Sequence, residues 1–284
     1  MTTTASTGRR PVSLDELKRA WRALEAGEFR ASPPVTGSTC SGGSGTRAAE
    51  WTPGAGERTV AVLGCSGSVG ASTVALATAM SATGPVRVVE CCSVTASGLA
   101  AATTAELGMH PSGWRRGKRD HVLLERTSEV LAGVDEVPAP IETEHEDQLT
   151  ILDIGWEAGQ LLATDCWLAH AVRGADQVVL VTRATVPCMR RLDGALHLLT
   201  GGRQSEQIVV AVVGPRRKKW PKAVEHSGGA AVRSALAGER CVEIPEVREL
   251  AVTGLDSLPI PAVLVSAGRH LLELHHQADT CPTS

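Results

Sequence analysis

Residues 64–73 read Gly64-Cys-Ser-Gly-Ser-Val-Gly-Ala-Ser-Thr73, directly after the apolar run Thr59–Leu63 and directly before a helical pattern over Ser72–Ala82. Glycines after a buried strand, opening a helix, bring backbone N–H groups and the positive end of a helix dipole to one place where an anion can sit. The phosphate-binding loop G-x-x-x-x-G-K-[ST] uses that layout and adds a lysine that reaches the outer phosphates. Here Ala71 occupies the lysine position and Cys65 the position of the first glycine. Ser72 keeps the hydroxyl that faces Mg²⁺ in such loops. Gly67, Ser68, Val69, Gly70, Ala71, Ser72 and Thr73 are therefore the candidate nucleotide-binding residues.

Outward from the loop, short runs of Val, Ile and Leu alternate with helical stretches. The runs are Val86–Val89, Leu149–Ile154, Gln177–Thr182, Ile208–Val213 and Cys241–Ile244. Unbroken aliphatic runs separated by helices predict a mainly parallel sheet covered on both faces, an α/β fold. Such sheets bind ligands at the carboxyl ends of their strands, where the loop falls. The run Leu149-Thr-Ile-Leu-Asp153 ends in a carboxylate at the same edge, which makes Ser72 and Asp153 the candidate Mg²⁺ residues.

Together these features resemble the MinD/ParA family of P-loop ATPases over nearly all of residues 58–276. The segment Val60–Thr73 is similar to the family's strand and deviant loop, and Val86-Arg-Val-Val-Glu90 to its second strand with an acidic end. Leu152-Asp-Ile-Gly155 resembles the switch aspartate, and Ala175-Asp-Gln-Val-Val-Leu-Val-Thr182 a further strand. Pro245 and Leu258-Pro-Ile-Pro261 resemble the C-terminal end. The resemblance implies ATP and Mg²⁺ as cofactors, a homodimer formed across the nucleotide face, and a cytoplasmic switch in DNA partition, plasmid or mobile-element maintenance, or intracellular positioning.

Three departures bear on catalysis. The family's two loop lysines are replaced by Ser66 and Ala71, and the aspartate that orients the attacking water by Cys92. Phosphoryl transfer rests on positioning and charge stabilisation, and losing one such contact costs on the order of 10²–10³ in rate. Weak or absent hydrolysis is the expectation, with Arg183 or Arg216 as stand-in cations. The alternative is a non-catalytic pseudo-ATPase scaffold of a secretion, pilus or conjugation assembly; an active enzyme with a relocated lysine is a third reading.

The rest of the chain divides into three further zones. Residues 13–29 form an amphipathic helical pattern, with Ser13 and Glu16 as a capping box and Leu14, Leu17, Trp21 and Leu24 on one stripe. That helix, within an N-terminal zone of 1–30, is read as a docking element for a protein partner, the alternative being that it packs back onto the domain. Residues 31–57, rich in Pro, Gly, Ser and Thr, are read as a flexible linker, and 277–284 as a tail.

The 284 residues carry a net charge of −3, which argues against a nucleic-acid coat protein but leaves room for a local basic patch. Arg216, Arg217, Lys218 and Lys219 are the candidate nonspecific DNA contacts, and Trp114 with Arg115–Arg119 forms a second basic run. The eight cysteines show no metal-ligand spacing and are read as reduced, small apolar residues. No membrane span or membrane-binding C-terminal helix is expected.

Overall fold

The structure, a computed structural model, describes residues 51–143, 145–201 and 207–279. The amphipathic pattern at 13–29 and most of the linker lie outside the described residues.

Among the described residues nine strands form one sheet: β1 (Arg58–Gly64), β2 (Val86–Cys91), β3 (Ala105–Met109), β4 (Arg115–Arg119), β5 (Val122–Arg126), β6 (Leu149–Ile154), β7 (Gln177–Arg183), β8 (Ile208–Gly214) and β9 (Cys241–Pro245). Their order is β3-β4-β5-β2-β6-β1-β7-β8-β9. From β5 to β9 every neighbouring pair is parallel, so each connection must cross over the sheet. β1 lies between β6 and β7, and its inner five residues are buried.

Both faces are covered, as the aliphatic runs require. On one face α1 (Ala71–Ser81) and α8 (Ala262–Asp279) pack over Val60, Val62, Val88, Ile151 and Val179. On the other, α2 (Ala158–Ala163), α3 (Trp167–Gly174), α4 (Val186–Thr200), α5 (Lys222–Glu225) and α6 (Ala230–Ala237) pack over Leu63, Val89, Leu152, Leu180 and Val210. A last short helix, α7 (Arg248–Thr253), follows β9. None of the described helices is long and apolar enough to cross a membrane.

The strands β3, β4 and β5 were not expected. β3, β4 and β5 are antiparallel to one another and extend the sheet beyond β2. The run Arg115–Arg119 is β4, with Arg115 and Lys118 exposed and Arg119 buried. Trp114 is fully buried and its indole N–H donates to the Ala139 carbonyl at 2.9 Å. Arg119 is buried and donates to the carbonyls of Ala102, Asp256 and Leu258. Arg116 Nε lies 3.4 Å from the buried carboxylate of Glu125. These guanidinium groups are spent inside the protein because a buried cation must be paired or hydrogen-bonded.

In residues 51–57, read as the end of a linker, 52–56 are exposed while Trp51 and Glu57 are buried. Trp51 is buried and meets Trp167 edge-on, with ring centroids 5.7 Å apart. Glu57 is buried and pairs with Arg87 at 2.8 Å.

Candidate functional site

The loop 64–73 joins the carboxyl end of β1 to α1. Two of its residues take left-handed backbone angles, Ser68 at φ 57° and Gly70 at φ 95°. Alternation of this kind curls a backbone into an anion-binding concavity. Gly70 is the residue before α1, and no side chain caps the helix there. The first N–H groups of the helix therefore face the cavity without a side-chain acceptor.

A cavity of about 1170 Å³ opens over this loop. All seven candidate nucleotide residues, Gly67 to Thr73, line it, and so does Asp153. Further lining comes from the β9–α7 region and the start of α8, where Leu250, Leu255 and Leu264 are apolar. One phosphate-like end and one apolar end suit a ligand with an anionic tail and a flat ring.

Asp153 ends β6 beside Glu90 on β2, in direct register. It is only 3% exposed, and its Oδ2 has no hydrogen-bond partner among the described residues. Burial, then the negative charge of Glu90, pushes its carboxyl up to about 7, opposed by a hydrogen bond with the Ser72 side chain. A buried carboxylate with an unpartnered oxygen next to a serine hydroxyl is the donor set that suits a hard cation. Among the described residues no group of three or more His, Cys, Asp or Glu forms a metal cage. Mg²⁺ does not need one, since phosphates and water supply most of its ligands.

Glu90 is fully engaged on the protein. It accepts hydrogen bonds from Ser97 Oγ at 2.7 Å, Gly98 N at 2.7 Å and Leu99 N at 2.8 Å. This clamp holds the segment 94–99 against the loop. A Cβ on Gly98 would sit 2.5 Å from Ser72 Oγ, so only glycine permits that approach. Thr95, Ala96, Ser97 and Gly98 form a cavity wall that sequence reasoning did not find. Its signal, an acid that caps a tight turn eight residues downstream, is not a local pattern.

Cys92 is buried, and burial together with the charges of Glu90 and Asp153 holds its thiol protonated well above the ordinary range. It has no capacity to act as a base. Cys65 is likewise pushed up to about 12 by burial and the neighbouring Cys188. Cys188 behaves differently. Partial burial acts to raise its pKa, but hydrogen bonds with Ser66, Thr185 and the Arg183 backbone, and the charge of Arg191, bring it below the ordinary thiol value.

Of the two arginines proposed as stand-ins, Arg183 lines the cavity, where it is ion-paired with Glu246. Arg216 is not among the lining residues; it is exposed near the turn Arg217–Lys219. In that turn the Arg217 backbone N–H donates to Glu243 and its guanidinium to the Leu236 carbonyl. Arg216, Arg217, Lys218 and Lys219, the four candidate DNA contacts, are all exposed.

A plasmid partition protein from Borrelia burgdorferi B31, bound to AMPPNP, aligns with a TM-score of 0.50 at 13% identity, covering 78% of this chain and 99% of its own. The fold is that of the MinD/ParA-like P-loop ATPases. Weaker alignments include a ParA family ATPase from Chlorobium tepidum TLS, with a TM-score of 0.45 at 12% identity over 79% of this chain and 99% of that one. The cell division ATPase MinD of Pyrococcus furiosus aligns with a TM-score of 0.45 at 16% identity, over 76% and 99%. No protein-family model and no curated protein matches the chain. In the MinD/ParA-like frame, the loop, Ser72 and Asp153 share one cavity at the carboxyl edge of the sheet.

Proposed function

We propose that this chain is a MinD/ParA-type nucleotide-binding switch that takes ATP with Mg²⁺ into the cavity over loop 64–73 and hydrolyses it slowly or not at all. The observation that carries the reading is the buried, unpartnered Asp153 Oδ2 beside Ser72, at the mouth of a curled loop and an uncapped helix. The AMPPNP bound by the Borrelia partition protein, which has this fold, supports it.

The phosphates would lie on the backbone N–H groups of Gly67 to Thr73, and the base against Leu250 and Leu255. Ser72 directly and Asp153 through water would hold Mg²⁺, which supplies charge neutralisation at the phosphate oxygens. Impaired hydrolysis follows from Ser66 and Ala71, which carry no charge, and from Cys92, whose protonated thiol does not orient or activate water. The process is DNA partition, plasmid or mobile-element maintenance, or intracellular positioning, in the cytoplasm. The acting form is a homodimer, with Arg216, Arg217, Lys218 and Lys219 available to DNA and 13–29 to a protein partner.

Calorimetric titration of the full chain with ATP, with and without Mg²⁺, tests this. The expected outcome is Mg²⁺-dependent binding, a shift from monomer to dimer in sedimentation, and turnover at least ~10²-fold below that of an enzyme with its stabilising groups intact. Turnover equal to an intact enzyme sinks the impaired-hydrolysis reading. No binding at millimolar ATP favours the pseudo-ATPase scaffold instead.

A further inference from the structure

We infer that Arg191, on α4, supplies the positive charge that the loop itself lacks, and that it contacts the polyphosphate of the bound nucleotide from across the cavity. The inference rests on the nucleotide reading above and names the residue that would make phosphate binding possible without a loop lysine.

The argument begins with the charges that line the cavity. Arg183 and Arg191 are its only lining cations among the described residues. The charge of Arg183 is taken up by Glu246. Arg191 is exposed and has no ion pair among the described residues. Of the lining acids, Glu246 is taken by Arg183, Glu157 caps α2 by accepting from Gln160 N, and Asp153 is buried beside Ser72 with no ion pair to Arg191 among the described residues. An uncompensated cation in a cavity with a curled anion-binding loop is the complement an anion needs.

Helix geometry places Arg191 toward the loop. Residues three and four apart share a face, so Cys188, Arg191, Gly194 and Leu198 form one stripe of α4. Arg191, Gly194 and Leu198 all line the cavity. Cys188 anchors the near end of the stripe, with its Sγ 3.5 Å from Ser66 Oγ in the loop. Arg191 is therefore one turn beyond a direct contact with the loop, and its charge is felt at the Cys188 thiol. The next position on the stripe, Gly194, has open space where a side chain would stand, so nothing there screens the guanidinium from the cavity. A planar guanidinium with several donors is well suited to phosphate oxygens.

The test is titration of the full chain with inorganic tripolyphosphate and with Mg²⁺-ATP, for wild type, Arg191→Ala, Arg191→Lys and Arg183→Ala. Arg191→Ala is expected to weaken both ligands by about ten- to a hundredfold, the range for losing a charged hydrogen bond. Arg191→Lys recovers part of the loss, and Arg183→Ala costs less than Arg191→Ala. As a second readout, tripolyphosphate is expected to slow iodoacetamide labelling of Cys188 in wild type, measured by peptide mapping, and not in Arg191→Ala. Wild-type affinity retained in Arg191→Ala overturns the inference while leaving the nucleotide reading intact. A loss for ATP with none for tripolyphosphate overturns it too, because the contact is then not to phosphate. Wild type that takes up neither ligand removes the nucleotide reading and this inference together.

Discussion

β2 and β6 run side by side, and two of their register pairs differ in what is buried on them. Arg87 sits opposite Thr150, and Glu90 sits opposite Asp153, three residues further along. An odd offset turns the second pair to the opposite face of the sheet. At the first pair, one buried cation meets complete partnership: Arg87 donates to Thr150 at 2.8 Å, Glu57 at 2.8 Å, Glu125 at 3.3 Å and the Ile141 carbonyl at 2.5 Å. At the second pair two buried acids lie together with no cation, and one oxygen of Asp153 is left over. The contrast separates a fully paired buried charge from one that, in the proposed nucleotide reading, is left for a ligand. Burying a charge is tolerable when it is paired, and the unpaired case persists where something else is to complete it.

The largest effect expected from breaking this contrast is at Arg87. Arg87→Ala leaves Glu57 and Glu125 buried without their shared cation, and about 3–5 kcal/mol of stability is expected to be lost. Chemical denaturation of the full chain measures it; a loss under ~1 kcal/mol would mean the cluster is already wet. Burial raises the Glu125 pKa against the pull of Arg87 and Arg116, so the variant is expected to protonate Glu125 more readily still.

The second effect has the opposite sign. The carboxyl of Asp153 moves from 3.8 to about 7 on folding. Between those values the folded protein keeps a proton that the unfolded chain has released, so the apo protein loses stability as pH rises through that window. Asp153→Asn removes the penalty. It is expected to be more stable than wild type at pH 8, by an amount on the order of a few kcal/mol, with the difference vanishing below about pH 4. The same variant is expected to lose Mg²⁺-dependent ATP binding. Thermal melts across pH check the first half, and a variant less stable than wild type at pH 8 would contradict it.

A smaller effect sharpens the role of Glu90. Because the clamp presses Gly98 onto Ser72, Gly98→Ala forces a methyl group to 2.5 Å from the serine oxygen. Overpacking of this kind costs about 1–3 kcal/mol in a rigid core and less where a segment can yield. Here the expected outcome is a modest stability loss with a larger fall in ATP affinity. Equal falls in both would place the segment with the Arg87 cluster, as part of the fold alone.

These regions also differ in how far the sequence reveals them. The parallel strands are legible because a strand buried on both faces needs a continuous aliphatic run, and 149–154, 177–183 and 208–214 supply one. The candidate loop is legible because its elements are contiguous. The strand β4 is hidden by its charges: four of its five residues are basic, and two of the carbonyls that accept from the buried Arg119 belong to the distant residues Asp256 and Leu258. Trp51 is hidden by its Pro- and Gly-rich surroundings, since its partner Trp167 is more than a hundred residues away. Arg191 is hidden for a related reason. A cation delivered from another element leaves no trace in the spacing of the loop it serves.

The central position of β1 has a consequence for synthesis. β1 is the first made of the described strands, yet both of its neighbours, β6 and β7, come late, and β6 begins about 85 residues after β1 ends. At about 5–20 residues per second, the growing chain carries an aliphatic strand with two unpaired edges for several seconds. A ribosome-bound chain of this kind needs protection for as long as β6 is unmade, and its slowest folding steps are the closures of long loops around a strand that was ready from the start.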